Sequence, residues 1–233
     1  SVLVANGGIW VLNPPYLLFY PDADDDAVPD GDPVVHLSGF GLEDTHSVAN
    51  SLSWGPDGWL YGANGSTTKG TVSSRTTQNI RFEGQCIWRY HPESGVFEIY
   101  GEGGGNTFSS EIDRVGRVFS GTNYGGTRGM HYPQGSYGVK GWGKHGPLTN
   151  PYAFGYFEHM QHKGDGDRFP QTFVIYEGGT LPERYHGTVI AANALHNRVW
   201  ASSLPPVGST FRTEDLPQVV TTPDRWFRPV DVK

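Results

Sequence analysis

His46 is the residue best placed by type and context to do chemistry. It lies in the run Glu43-Asp44-Thr45-His46-Ser47-Val48-Ala49-Asn50-Ser51-Leu52-Ser53-Trp54-Gly55-Pro56-Asp57-Gly58-Trp59-Leu60-Tyr61. A neutral imidazole accepts a proton from a hydroxyl near neutral pH, which makes histidine a frequent general base. Here it stands just ahead of an apolar strand that ends in a tight Gly-Pro-Asp-Gly turn. The same position also suits a loop histidine with no chemical role.

A second group consists of His131, His145, His159, His162 and His186. His159-Met160-Gln161-His162 has the spacing that puts two imidazoles on one metal ion if the segment forms a helical turn. With His131 nearby, a zinc or similar ion would polarise a sugar carbonyl as a Lewis acid. A polar surface turn accounts for the spacing equally well. A third group is Asp22-Ala23-Asp24-Asp25-Asp26-Ala27-Val28-Pro29-Asp30. Asp22, Asp24, Asp26 and Asp30 stand at relative positions one, three, five and nine, the oxygen-ligand pattern of a calcium loop. Ala27 stands where that pattern has Gly, and Pro33 where it has Glu. The alternatives are calcium in a structural role and an acidic surface loop.

The elements that would position these residues are strands. A short apolar strand followed by small and polar residues recurs at Val2–Trp10, Trp59–Gly65, Arg117–Gly125 and Thr188–Ala194. Gly55-Pro56-Asp57-Gly58 and Asp113-Arg114-Val115-Gly116 supply tight reversals before the middle two. A hairpin is legible from Cys86 to Tyr100, with alternating strands around a Pro/Ser/Gly turn. The pattern predicts an all-β chain, a β-propeller of four-stranded blades, each roughly 40–50 residues long. Residues 1–233 then hold about four blades and form one propeller domain. In a propeller, His46 falls near the end of the central channel. The segment 125–168, rich in Gly, Tyr and His, reads as a long insertion loop of the kind that often carries function. Residues 226–233 read as the opening strand of a further blade. A closed ring leaves no free edge, so a fragment, or a ring completed by another chain, is expected.

Composition narrows the class. The 233 residues are 36% hydrophobic, 13% aromatic and 18% charged, with 33 Gly and 17 Pro. That mix suits a turn-rich β protein with a core and excludes a disordered chain. A net charge of −7 without clustered Lys and Arg argues against nucleic acid as a partner. The single cysteine, Cys86, excludes an internal disulfide. No apolar run approaches the ~20 residues of a membrane span.

The segment around His46 resembles the His … Gly-Pro-Asp-Gly-x-apolar-Tyr stretch of the soluble quinone-dependent glucose and sorbosone dehydrogenases. These are propeller enzymes that bind pyrroloquinoline quinone (PQQ). The resemblance implies that His46 takes the proton of a sugar hydroxyl while hydride goes to the quinone. It continues at Gly103-Gly104-Gly105-Asn106-Thr107, where Asn106 matches a cofactor contact and Gly105 replaces the family's Arg. Phe173–Gly179 is similar to a family Tyr-x-Gly-Gly strand, and His196 stands near a family Lys that meets the cofactor. Asp224–Val232 resembles a paired-arginine strand, which implies that Arg225 and Arg228 clamp cofactor carboxylates. Membrane-bound dehydrogenase-like bacterial proteins, often followed by a cytochrome c domain, are similar too, as are the aldos-2-ulose dehydratases.

Three readings follow. One is a PQQ-dependent sugar dehydrogenase with His46 as base and a small sugar as substrate. Another is a metal-dependent sugar lyase or dehydratase. The third is a non-catalytic ligand-binding propeller, for which the loss of Arg at Gly105 speaks. By resemblance, a cytochrome c domain or a ring-completing chain is the expected partner, and the expected location is periplasmic or secreted.

Overall fold

The computed structural model describes residues 1–122, 126–140, 146–167 and 172–233. The third repeat copy's residues 123–125, both limits of the 125–168 segment, and His145 lie outside them. Among the described residues the regular elements are strands, apart from one short 3-10 turn at Glu183–Tyr185. Among the described residues no helix is long and apolar enough to cross a membrane.

The first sheet opens as an antiparallel meander of β1 (Val2–Val4), β2 (Gly8–Asn13), β3 (Tyr16–Pro21) and β4 (Val34–Phe40). The second begins with β5 (Asn50–Trp54) and β6 (Leu60–Asn64). The chain then leaves for a hairpin, β7 (Lys69–Ser73) and β8 (Ile80–Glu83), which extends the first sheet through β4. It returns as β9 (Cys86–His91) and β10 (Val96–Gly104), the hairpin expected from the sequence. The third sheet holds β11 (Glu111–Ile112), β12 (Val118–Ser120) and β13 (Met130–Tyr132).

The next strand does not stay with its sheet. β14 (Ser136–Lys140) runs parallel to β10 of the second sheet, and β15 (Gly155–Tyr156) runs parallel to β14. After β16 (Gln161–Lys163) come β17 (Phe173–Tyr176), β18 (Thr188–Asn193), β19 (Arg198–Ser203), β20 (Pro206–Val207), β21 (Thr210–Asp215) and β22 (Val220–Thr221). β17, β18, β19 and β21 form the fourth meander, with β16 parallel to β21 at its edge. The segment 125–168 is therefore not one loop, since β13 to β16 fall within it. Residues 226–233 hold no strand.

The four sheets are successive propeller blades. Their first strands, β1, β5, β11 and β17, lie side by side, and each meander runs outward from them. Three of the repeats legible in the sequence are the second strands β6, β12 and β18, not the innermost ones. β6 and β12 are apolar on both sides because each faces a neighbouring blade on either face; β18 packs through Val189 and Ala191 against blade three. Leu60 and Trp88 pack with Trp10, Leu37 and Phe82 between blades one and two. Their neighbours Tyr61 and Ile87 pack with Val118, Met130 and Tyr132 between blades two and three. Phe119 then packs with Phe173, Val189 and Trp200 between blades three and four. Gly62 is required by this stacking, because a Cβ there would sit 2.2 Å from the Trp88 ring.

Alternating strand direction fixes what each edge carries. Connections between blades, and between second and third strands, share one edge, the upper one. The other hairpins share the lower edge.

Candidate functional site

The connection from β4 to β5 crosses the upper edge and carries His46. Its backbone N–H donates to Asp44 Oδ1 at 3.0 Å, and Ser47 N donates to Asp44 O at 2.9 Å. The loop is stitched to the segment after β6. Thr67 Oγ1 donates to Asp44 Oδ2 at 2.6 Å, Thr68 Oγ1 donates to Asp44 O at 3.1 Å, and the Ser47 hydroxyl lies 3.0 Å from that of Thr68. His46 Nδ1 comes to 3.4 Å from Asp44 Oδ1, and its side chain is 94% exposed. The Thr67 hydroxyl, followed by the His46 backbone N–H, holds the Asp44 carboxyl below its ordinary range. Asp44 therefore stays anionic beside an imidazole that is open to solvent. Reading His46 in isolation missed Asp44. The Asp-x-His spacing, which suits an Asx turn, was the available signal.

His46 lies on a cavity of about 340 Å³. Asn106, Phe108 and Ala194 line it, and Pro229 and Val230 of the C-terminal segment complete its wall. That segment is held by side chains. Thr172 Oγ1 donates to Val230 O at 3.0 Å, and Arg228 Nη1 donates to Ala194 O at 3.0 Å. Asn197 Nδ2 donates to the carbonyls of Arg225 and Phe227.

The fold brings His46 and Asn106 to one cavity, but not the remaining cofactor candidates. Asn106 Oδ1 accepts the Ser66 N–H at 2.9 Å, and Gly105 N donates to Thr122 Oγ1 at 2.8 Å. His196 Nε2 faces Asp167 Oδ2 at 3.7 Å. Arg225 and Arg228 are exposed and do not line the cavity. A quinone bearing carboxylates calls for cationic, preferably bidentate, partners. Among the described residues no Lys or Arg lines this cavity. The residues as arranged do not fit PQQ.

The histidines expected on a transition metal are not gathered either. His131, on β13, packs against the rings of Phe119 and Phe211 at 5.0 and 5.1 Å. Burial, with a smaller push from Arg117, lowers its pKa to about 4. It is a neutral core imidazole. Burial likewise lowers His159 to about 4. His162, on β16, has Nδ1 2.9 Å from Thr213 Oγ1 and Nε2 3.6 Å from Asp215 Oδ2. The His-x-x-His segment forms no helical turn: His159 precedes β16, His162 lies on it, and no metal-capable group among the described residues includes either. A helical turn would have put them together.

The acidic loop joins β3 to β4 on the lower edge, away from His46. Asp22, Asp24 and Asp26 place ligand oxygens within 4.8 Å of one another, the one such group of metal-capable side chains among the described residues. Asp22 accepts the N–H groups of Asp26 and Ala27, both at 3.2 Å. Ala27 has φ +66°, the left-handed conformation for which the calcium-loop pattern uses Gly. Asp30 Oδ2 accepts Ala23 N at 2.7 Å and stands outside the cluster of three.

A titratable group that the sequence did not suggest lies between blades three and four. Glu111, on β11, accepts the Ile175 N–H of β17 at 2.9 Å. Burial pushes its carboxyl up to about 7, and the charges of Glu177 and Asp113 add to the rise.

The family model "Domain of unknown function (DUF7133)" matches residues 1–233. No curated protein matches the chain. Among solved structures, the chain is distantly similar to a candidate oxidoreductase (glucose dehydrogenase) of Thermus thermophilus. That likeness has 12% identity and a TM-score of 0.49, and covers 97% of this chain and 84% of that one.

Proposed function

The chain belongs to the DUF7133 family, and we propose that it is a carbohydrate-active propeller whose Asp44–His46 pair removes a proton from a sugar hydroxyl. The supporting observation is the anionic Asp44 held by Thr67 and facing His46 Nδ1 at 3.4 Å, on the wall of the cavity shared with Asn106. In this reading Nε2 receives the proton, and the Asp44 charge stabilises the imidazolium that forms. Asn106, pinned by the Ser66 N–H, orients the substrate. Loss of that proton serves either elimination of water, which needs no acceptor, or oxidation of the carbinol, in which an external electron acceptor such as an added quinone or dye takes the hydride.

The test is to incubate the chain with a panel of aldoses. Dye reduction is followed with and without added PQQ, and the sugar is analysed for elimination products when no dye is present. A sugar-dependent reaction that disappears in His46→Ala supports the reading. Equal turnover in that variant, or no reaction and no binding with any sugar, overturns it.

A second, structural role is proposed for the acidic loop, in which Asp22, Asp24 and Asp26 hold a calcium ion. It is favoured by the convergence of three carboxylates that no Lys or Arg pairs with among the described residues. The left-handed turn at Ala27 also supports it.

A further inference from the structure

A cleft of about 1030 Å³ lies away from His46. One wall is the hairpin β7–β8 at Asn79, Ile80 and Arg81. The floor is β10 at Phe97 and Ile99. The other wall is the segment 149–154.

That segment is held rigidly. Glu102 is fully buried, and its carboxylate accepts Thr149 N at 2.9 Å, Thr149 Oγ1 at 2.8 Å and Asn150 N at 2.7 Å. Lys140 Nζ lies 3.2 Å from the same carboxylate and donates to Pro147 O at 2.7 Å. Asn150 Nδ2 donates to Ile99 O at 3.2 Å, and Phe154 N donates to Gly135 O at 3.0 Å. Yet the two aromatic side chains on this anchored segment face water. Tyr152 is 84% exposed and Phe154 is 79% exposed. Large apolar rings exposed on an anchored backbone beside a cleft mark a binding surface, because the backbone that carries them needs no ordering when a ligand arrives.

We propose that this cleft binds a carbohydrate chain. A pyranose has an apolar C–H face that packs on aromatic rings and a hydroxyl edge that needs paired donors and acceptors. Tyr152 and Phe154 supply the first, and Asn79 supplies the second together with Glu98, whose Oε1 already takes Arg89 and Gln134 and whose Oε2 remains to accept. Other occupants match less well. A peptide adding to the β8 edge would need a row of outward backbone groups. Gly84 N donates to Thr68 O, so Ile80 and Phe82 turn their backbone groups towards β7. Glu83 O already accepts Lys140 Nζ. Arg81 alone is left to offer such groups on β8. A nucleic acid would need cations, and the one guanidinium on the wall, Arg81, is paired with Glu83.

The proposal uses no residue of the His46 cavity. Its test is titration calorimetry of the whole chain against soluble cello-, xylo- and chito-oligosaccharides. The expected result is saturable binding to at least one of them. The Tyr152→Ala/Phe154→Ala double variant should weaken it about tenfold or more, a loss of roughly 1.4 kcal/mol. Both rings are exposed, so the melting temperature should not change, and neither should turnover of a monosaccharide at His46. Failure here therefore reads out separately from failure of the proposed reaction. Absence of binding to every oligosaccharide, or undiminished binding by the double variant, overturns the proposal. Should the double variant not fold, amide hydrogen exchange of residues 149–154 in the native chain replaces it. Protection on saccharide addition supports the cleft, and no change overturns it.

Discussion

Asp44 and His46, two residues apart, meet through carboxylate Oδ1 and imidazole Nδ1 at 3.4 Å. Asp44 is itself tied by Thr67 to the connection that leaves β6. The pair is thus a local Asx turn braced from another element, and the proposed chemistry depends on that brace.

Removing the base should cost most. His46→Ala is expected to lower kcat about a hundredfold or more, the usual contribution of a general base. Asp44→Asn should cost less and shift the pH–rate profile, because the imidazolium loses its anionic partner. The His46 side chain is 94% exposed, so its variant should melt at the wild-type temperature. Steady-state kinetics over a pH series, together with thermal melts, check both.

Glu111 predicts a stability that falls as pH rises. Its carboxyl titrates near 4.5 when unfolded and about 7 when folded. Between those values the folded state holds the extra proton, so the stabilisation is complete only below about 4.5 and is lost through the window. Glu111→Gln keeps an acceptor for the Ile175 N–H. It should be more stable than wild type at about pH 8, by up to roughly 3 kcal/mol, and similar at about pH 4. Denaturant melts at the two pH values measure the difference.

His131 predicts the opposite slope. Its imidazole titrates at 6.5 when unfolded and about 4 when folded. The unfolded state binds the extra proton between these values, so stability is lost as pH falls through them. His131→Phe, between Phe119 and Phe211, should flatten this acid limb. It should leave any bound transition metal unaffected, as elemental analysis would report.

Arg128 is fully buried, 3.0 Å from Asp215 and 4.6 Å from the Trp200 ring centroid. Burial pushes Asp215 up. His162, the Asp165 N–H and the Arg128 charge outweigh this and hold it at about 2. Arg128→Met leaves that carboxylate with the Asp165 N–H, Ser202 and His162 but no cation from arginine, and should destabilise the fold by about 1–3 kcal/mol. A depressed carboxyl stabilises above its unfolded value and loses that contribution as pH falls towards 2. Without Arg128 the loss should begin at higher pH, which acid-unfolding curves would show.

Calcium should raise the melting temperature of the native chain, and chelator should reverse the rise. Asp24→Asn/Asp26→Asn should abolish the response. A native chain indifferent to both additions rules the calcium loop out.

The hairpin from Cys86 to Tyr100, the Gly-Pro-Asp-Gly reversal, the blade repeats and the placement of His46 before a strand were determined by sequence alone. Each rests on local chemistry: turn residues, alternation, and apolar runs that only a strand buried on both faces tolerates. Tertiary structure decided the rest. It showed that the repeats are second strands, because burial on both faces, not nearness to the axis, makes a strand apolar. It sent β14 to the second blade, where buried Lys140 meets buried Glu102, a pairing 38 residues apart in the chain. It separated His131, His159 and His162, whose spacing carries a metal only on a helical turn. It left Arg225 and Arg228 off the cavity wall and gave Glu111 an environment that raises its pKa. Local patterns specify what a segment becomes; which side chains meet depends on how the blades stack.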